Sequence, residues 1–205
     1  MKINDDKKAK EKIIDSAIEL FYYQGFHGTT VRQIAQKAEL NLALISYYFG
    51  GKKGLLEALM VQFYEGYFQA VEAAEATLGA TEQESTKLHL IHTMKYTFQY
   101  LFDSYKMTRF IYRELTMDSV LIREVMTLYL SKEKYYYISI LEEGLNKGQF
   151  EHDDLDIVVL QLLHILYMPF LQPQVIREVH YIEPLSQEFK ERYFLQLEKW
   201  IRNTF

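Results

Sequence analysis

The stretch TTVRQIAQKAELNLALISYYFGGKKGL, Thr29 to Leu55, decides how the chain is read. Thr29 and Thr30 are N-cap residues standing just before an apolar run. Val31, Ile34, Ala35 and Ala38 recur at helical spacing and give a first short helix one buried face. Glu39 and Leu40 make a turn, and Asn41 caps a second helix, Leu42 to Tyr48. That helix carries Ile45 and Phe49 inward and leaves Ala43, Leu44, Ser46, Tyr47 and Tyr48 for its other sides. Gly50 and Gly51 stop it, because glycine accepts the left-handed conformation that closes a helix.

Two short helices joined by a tight turn are a helix-turn-helix, whose second helix is the element that enters the DNA major groove. The residues suit that task. Ala43 allows close approach and can meet a thymine methyl. Ser46, Tyr47 and Tyr48 offer hydroxyls to phosphates or base edges. Lys52 and Lys53 open the next helix, where a cation and free backbone N–H groups can hold phosphate.

The stretch resembles the DNA-binding segment of the TetR family of bacterial regulators. The matching residues are Ile34-Ala35, Ala38, Leu40-Asn41, Ala43, Tyr48-Phe49, Lys52 and Leu55. Four positions depart from the family pattern. Glu39 stands where the family prefers Gly in the turn, Asn41 replaces the usual Ser cap, and Ser46 and Tyr48 stand where Tyr and His are common. Glu39 is therefore expected to carry the strain of a non-glycine residue at positive φ. Ser46 removes the family's usual tyrosine–phosphate contact, which Tyr47 stands next to. The resemblance implies an all-α fold, with a three-helix DNA-binding domain over 1–51 and a helical regulatory and dimerisation domain over 52–205. It places Thr30, Arg32, Asn41, Leu42, Ala43, Leu44, Ser46, Tyr47, Tyr48 and Lys52 at DNA. The longer stretch ISYYFGGKKGLLEALMVQFYEGYF, Ile45 to Phe68, is also similar to RefZ-type members of that family in spore-forming Bacillus relatives. Those proteins couple DNA binding near the replication origin to inhibition of the division protein FtsZ.

Working outward, residues 1–8 are polar and expected to fray. A helix from about Lys8 to Gln24 carries Ile13, Ile14, Ala17, Ile18, Leu20 and Phe21, and Gly25 ends it. Met1 to Lys12 is charged with no apolar run behind it, so a cytoplasmic protein is expected, nucleoid-associated if it binds DNA as the resemblance implies. The chain has no cysteine, which excludes disulfides, thiolate metal sites and thiol catalysis. Its net charge of −5 divides unevenly. Residues 1–55 hold nine Lys/Arg against six Asp/Glu, and residues 56–205 hold fourteen against twenty-two. A basic end on an acidic body orients a molecule on DNA.

The body reads as further helices. One runs from Lys52 to about Leu78, with Leu55, Leu59, Phe63, Tyr67 and Val71 at every fourth residue and Gly66 at its middle as a weak point or a packing site. Others are expected over Gln83–Phe102, Tyr105–Leu115 and, capped by Asp118 or Ser119, on to Asn146. That last helix is apolar on several sides and expected to be buried. Asp153-Asp154 cap another, LDIVVLQLLHILYMPFL from Leu155. This run is too short and too polar, at Asp156, Gln161 and His164, to cross a membrane. It is expected to be buried on every side, partly by a second subunit. An irregular stretch lies between Pro173 and Pro184, and a final helix spans about Leu185 to Arg202. The resemblance implies a homodimer through helices at about 154–170 and 185–202, reading a palindromic operator.

No pattern of catalytic residues can be argued from spacing, and neither enzymatic activity nor a cofactor is expected. Gly50-Gly51-Lys52-Lys53-Gly54 lacks the spacing of a phosphate loop. His89 and His92 stand three apart with no carboxylate at ligand spacing. A small apolar or aromatic effector would have Met94, Phe98, Phe110, Tyr112, Met126, Tyr129 and His164 as candidate lining, His164 being otherwise a buried, hydrogen-bonded histidine. Arg109, Arg113, Glu114 and Arg123 are the candidate surface for a protein partner such as FtsZ.

Overall fold

The computed structural model describes residues 2–80, 85–116, 120–151 and 154–205. The elements among them are helices: α1 (Lys2–Gly28), α2 (Val31–Ala38), α3 (Leu42–Phe49), α4 (Lys52–Ala76), α5 (Thr86–Asp103), α6 (Tyr105–Leu115), α7 (Val120–Asn146), α8 (Leu155–Leu171), α9 (Pro173–Glu178) and α10 (Gln187–Thr204). The expected all-α fold is observed. The chain divides into two compact units, Met1–Glu65 with Lys106–Val125, and Gly66–Tyr105 with Met126–Phe205. No helix among the described residues is long and apolar enough to cross a membrane.

In the first unit α1 packs on α2 and α2 on α3. The apolar positions that recur at helical spacing are the ones removed from water: Ile13, Ala17 and Phe21 of α1, Ile34, Ala35 and Ala38 of α2, and Ile45 of α3. Leu55, Leu56 and Leu59 at the start of α4 are buried as well. Two expectations change here. The polar segment expected to fray is helical from Lys2, and Gly25, expected to end α1, instead kinks it at φ 74°, ψ 170° before one more turn to Gly28. The unit also takes in α6, distant in sequence, whose Phe110 stacks on Phe21 at 5.2 Å between ring centroids.

In the second unit α5 packs on α10. Phe98 stacks on Tyr193 and Phe194 at 5.7 and 5.9 Å and meets Phe170 at 6.0 Å. Gly66 is a packing site, because a Cβ there would stand 2.5 Å from the Tyr100 hydroxyl. A polar network lies among these rings. The Tyr67 and Tyr137 hydroxyls are 3.3 Å apart, Tyr137 is 3.2 Å from Thr97 Oγ1, and the Tyr167 hydroxyl donates to the Glu133 carboxyl. Glu133 is 1% exposed, and its burial pushes the carboxyl up to about 7 against the hydrogen bonds from Tyr167 and Tyr67.

One long helix differs from expectation. In α7, Tyr137, Ile140 and Leu141 are buried, but Leu128 and Tyr135 are 70% and 63% exposed. In α8, Val159, Leu162, Leu166 and Phe170 face inward while Ile157, Leu160 and Met168 are exposed, so within one chain one apolar side of the helix stays uncovered, the part expected to be covered by a second subunit. A helix presents only part of its circumference to one core, however apolar its composition. The stretch after Pro173 is also more regular than expected. It forms α9, where proline at the first position gives up an N–H that would have had no helical partner. Ser85 caps α5 and Asp154 caps α8 through side-chain hydrogen bonds. The expected cap at Asp118 or Ser119 lies outside the described residues, as does Asp153.

Candidate nucleic-acid interface

Local chemistry sets the geometry of α2 and α3. Thr30 and Gln33 form a capping box: the Gln33 N–H donates to Thr30 Oγ1 at 3.2 Å, and the Thr30 N–H donates to Gln33 Oε1 at 2.7 Å. Thr29 is not the cap. It is fully buried, and its hydroxyl donates to the Gly25 carbonyl at 2.8 Å. At the other end Glu39 adopts φ 56°, ψ 39°, and its N–H reaches the Ala35 and Gln36 carbonyls. This is the left-handed turn in which the family prefers glycine. Asn41 then caps α3, its Oδ1 accepting the Ala43 N–H at 2.8 Å. Gly50, at φ 70°, closes α3 with its N–H on the Ser46 carbonyl at 2.9 Å. Lys37 of α2 pairs with Glu19 of α1 at 2.8 Å, which holds the Glu19 carboxyl below its usual range.

With Ile45 buried, the opposite side of α3 faces outward. Asn41, Leu42, Ala43, Ser46 and Tyr47 are exposed, Tyr47 at 78%, and Thr30 and Arg32 at the start of α2 are exposed beside them in the chain. Leu44 and Tyr48 are half-buried. This surface offers a small methyl, three exposed hydroxyl-bearing side chains, an amide and a guanidinium, which together can contact phosphates and base edges. Tyr48 is the exception. Its hydroxyl donates to Asp6 Oδ1 at 2.6 Å, which pushes the phenol up to about 12.

Lys52 is placed differently from the sequence expectation. Its ammonium donates to the Phe26 and Thr29 carbonyls at 2.9 and 2.8 Å and lies 4.4 Å from the centre of the Phe26 ring. It thus ties the start of α4 to the α1–α2 loop, leaving one donor for phosphate. The kinked end of α1 is braced by α6. Arg113 donates to the Phe21 and Tyr22 carbonyls at 2.8 and 3.0 Å, and Glu114 accepts the Phe26 N–H at 3.4 Å. Glu114 is only 4% exposed, and the two side chains stand 3.9 Å apart. These two residues, expected on a partner-facing surface, are turned into the first unit instead. They satisfy carbonyls and an N–H that the kink at Gly25 leaves without helical partners. Arg109 is half-buried, and the side chain of Arg123 lies outside the description.

The expected effector lining is dispersed. Phe110 belongs to the first unit, packed on Phe21. Tyr112 is buried there too. Met94 and Phe98 are buried in the second unit, Tyr129 is half-buried, and the side chain of Met126 lies outside the description. His164, expected to be buried or to line a pocket, is exposed on α8, its Nδ1 2.7 Å from the Leu160 carbonyl. Phe98 does border an open groove of about 370 Å³ between α5 and α10, with Lys95, Lys190, Phe194 and Leu195. His89 and His92 have separate partners: Glu75 Oε1 lies 2.7 Å from His89, and Thr77 Oγ1 3.1 Å from His92. Among the described residues no three His, Cys, Asp or Glu side chains come together as metal ligands.

Residues 13–59, which contain all of α2 and α3, match the family described as bacterial regulatory proteins, tetR family. The chain is 45% identical over 196 residues to the "Probable HTH-type transcriptional regulator YttP" of Bacillus subtilis, covering 96% of this chain and 93% of that one. Among solved structures it resembles the TetR family transcriptional regulator PfmR from Thermus thermophilus, with a TM-score of 0.72 at 21% identity over 92% of this chain and 96% of that one. A tetR-family bacterial regulatory protein from Rhodococcus RHA1 superposes with a TM-score of 0.69 at 20% identity over 94% and 96%. Those two likenesses concern the fold. The likeness to the Bacillus protein runs through sequence as well, over nearly the full length of both chains, and with it this chain belongs to the TetR family of bacterial transcriptional regulators.

Proposed function

We propose that the chain binds palindromic DNA as a homodimer, with α3 in the major groove of each half-site. One observation carries the reading: the caps at Thr30, Asn41 and Gly50 hold α3 so that Ile45 is buried and Ala43, Ser46 and Tyr47 face outward. Residues 1–51 would supply the reading head and residues 52–205 the dimer contacts and the regulation, in the cytoplasm and at the nucleoid. One α3 covers little DNA, and a two-fold protein doubles the contact by reading half-sites about 34 Å apart. Exposed Ile157, Leu160 and Met168 recur along one side of α8, and Leu195 is exposed on α10. These apolar positions on the two helices support a helix-pair interface with a second copy.

The test is selection from a random duplex library by the full-length protein. Enriched sequences should contain two inverted half-sites about one helical turn apart. Tyr47→Ala should then lower affinity for them by at least about fivefold, the loss of roughly 1–3 kcal/mol. Enrichment of no sequence, or wild-type binding by Tyr47→Ala, would sink the assignment of α3.

Two kinds of output are open to such a protein. A small apolar or aromatic ligand in the body would release DNA by favouring a state with wrongly spaced reading heads; the groove beside Phe98 supports that reading. A RefZ-like division regulator, with FtsZ as partner and no inducer, rests on the Ile45–Phe68 stretch. Mapping the protein across its native genome separates them. A site at its own or a neighbouring promoter means local regulation, and several palindromes around the replication origin mean a positioning role.

A further inference from the structure

The first turns of α1 hold a charge whose position DNA binding alone does not explain. Asp6 follows Asp5 and stands directly before Lys7, Lys8 and Lys10, on the unit that carries α3. Its carboxylate is exposed, and it accepts a hydrogen bond from the Tyr48 hydroxyl at 2.6 Å, the length of a charge-assisted O–H···O⁻ bond. Lys10 lies 5.2 Å from the centre of the same ring, and Tyr47 meets that ring edge-on at 5.0 Å. The bond spans 42 positions of sequence, from the start of α1 to the last turn of α3.

A tyrosine hydroxyl has one proton to donate. Paired with Asp6, Tyr48 has none left for a phosphate oxygen or a base acceptor and can only accept. The carboxylate itself stands as a fixed negative charge beside a helix meant to approach a polyanion. On DNA of the wrong sequence phosphate neutralisation supplies essentially all of the binding and α3 settles wherever that is strongest, so a negative charge here weighs in full; on the right sequence, base contacts by Ala43, Ser46 and Tyr47 fix where α3 sits and carry part of the binding, so the same charge weighs less. We infer that Asp6 is a specificity-determining residue: by latching Tyr48 and repelling phosphate at the edge of α3, it suppresses binding to DNA of the wrong sequence. The inference rests on the reading of α3 as the DNA-contacting helix.

The experiment uses full-length wild type, Asp6→Asn, Tyr48→Phe and Tyr47→Ala. Fluorescence anisotropy is recorded over a salt series, with the library-selected duplex and a shuffled duplex of the same length. Asp6→Asn keeps the shape and removes the charge. Its affinity for the shuffled duplex should rise about three- to tenfold near 0.1 M salt, with a steeper salt dependence, while affinity for the selected duplex changes less. The ratio of the two affinities should therefore fall. Tyr48→Phe tests the latch without DNA: amide exchange over residues 3–9 should quicken when the hydroxyl is removed. An unchanged affinity ratio for Asp6→Asn, or unchanged exchange for Tyr48→Phe, overturns the inference. If wild type selects a sequence and Tyr47→Ala loses it, that failure belongs to Asp6 alone. If wild type selects nothing, the reading of α3 has failed first.

Discussion

Replacing Glu133 by Gln should remove a pH dependence from the stability of the second unit. The carboxyl is 1% exposed, and its burial lifts it from an ordinary 4.5 to about 7. In the unfolded chain it ionises near 4.5, while in the fold it keeps its proton until about 7. Between those values the folded state binds more protons than the unfolded state, so stability falls as pH rises. Its contribution is fully present below pH 4.5, is lost through that window, and is gone above about 7. The width of the window, at about 1.4 kcal/mol per pH unit, sets the loss at on the order of 3 kcal/mol. Glutamine keeps the length and can still accept the Tyr167 hydroxyl, but does not titrate. Urea unfolding of wild type and Glu133→Gln, followed from about pH 4.5 to 8.5, gives the difference between the two as a function of pH, in which every other titrating group cancels. Wild type should lose ground steadily against the variant from about pH 5 to 7 and level off above. Parallel curves over the whole range would refute the account, because they would mean that Glu133 titrates alike folded and unfolded.

Two further predictions concern the first unit. Glu39→Gly should stabilise it by about 1 kcal/mol, since glycine holds the left-handed turn without the Cβ strain, and should leave the selected DNA sequence unchanged; a lower unfolding midpoint would contradict this. Arg113→Ala should destabilise the unit by about 2–3 kcal/mol, because it strips two carbonyls of a charged donor and leaves the buried Glu114 without its neighbour. Amide exchange over residues 22–29 should quicken and DNA affinity fall in that variant, with both unchanged if the bracing of the kinked end of α1 has been misjudged.

Short-range patterns made the helix-turn-helix legible. Caps, turns and apolar spacing act over three or four residues, so Thr30, Asn41 and Gly50 take in the structure the local roles their types imply. Apolar periodicity likewise placed most of the long helices. The features that went unread are those made by residues far apart. Nothing near Asp6 points to Tyr48, and nothing near Arg113 and Glu114 points to the kink at Gly25. As surface-type residues, Lys52, Arg113 and Glu114 look ready for DNA or a partner. Each is drawn instead to backbone groups at or just beyond the kinked end of α1. Composition also overstated burial in α7: it is apolar round much of its circumference, yet one core covers only one side.

The order and type of the helices, the caps of α2 and α3 and the face that α3 presents were determined by the sequence itself, because helix propensity, capping and hydrophobic spacing are local. Which charges serve the surface and which serve the fold was decided only by the tertiary structure. An ion or hydroxyl takes its role from the groups within a few ångströms of it. For Asp6, Glu114 and Glu133 those groups arrive from helices 42, 88 and 34 residues away along the chain.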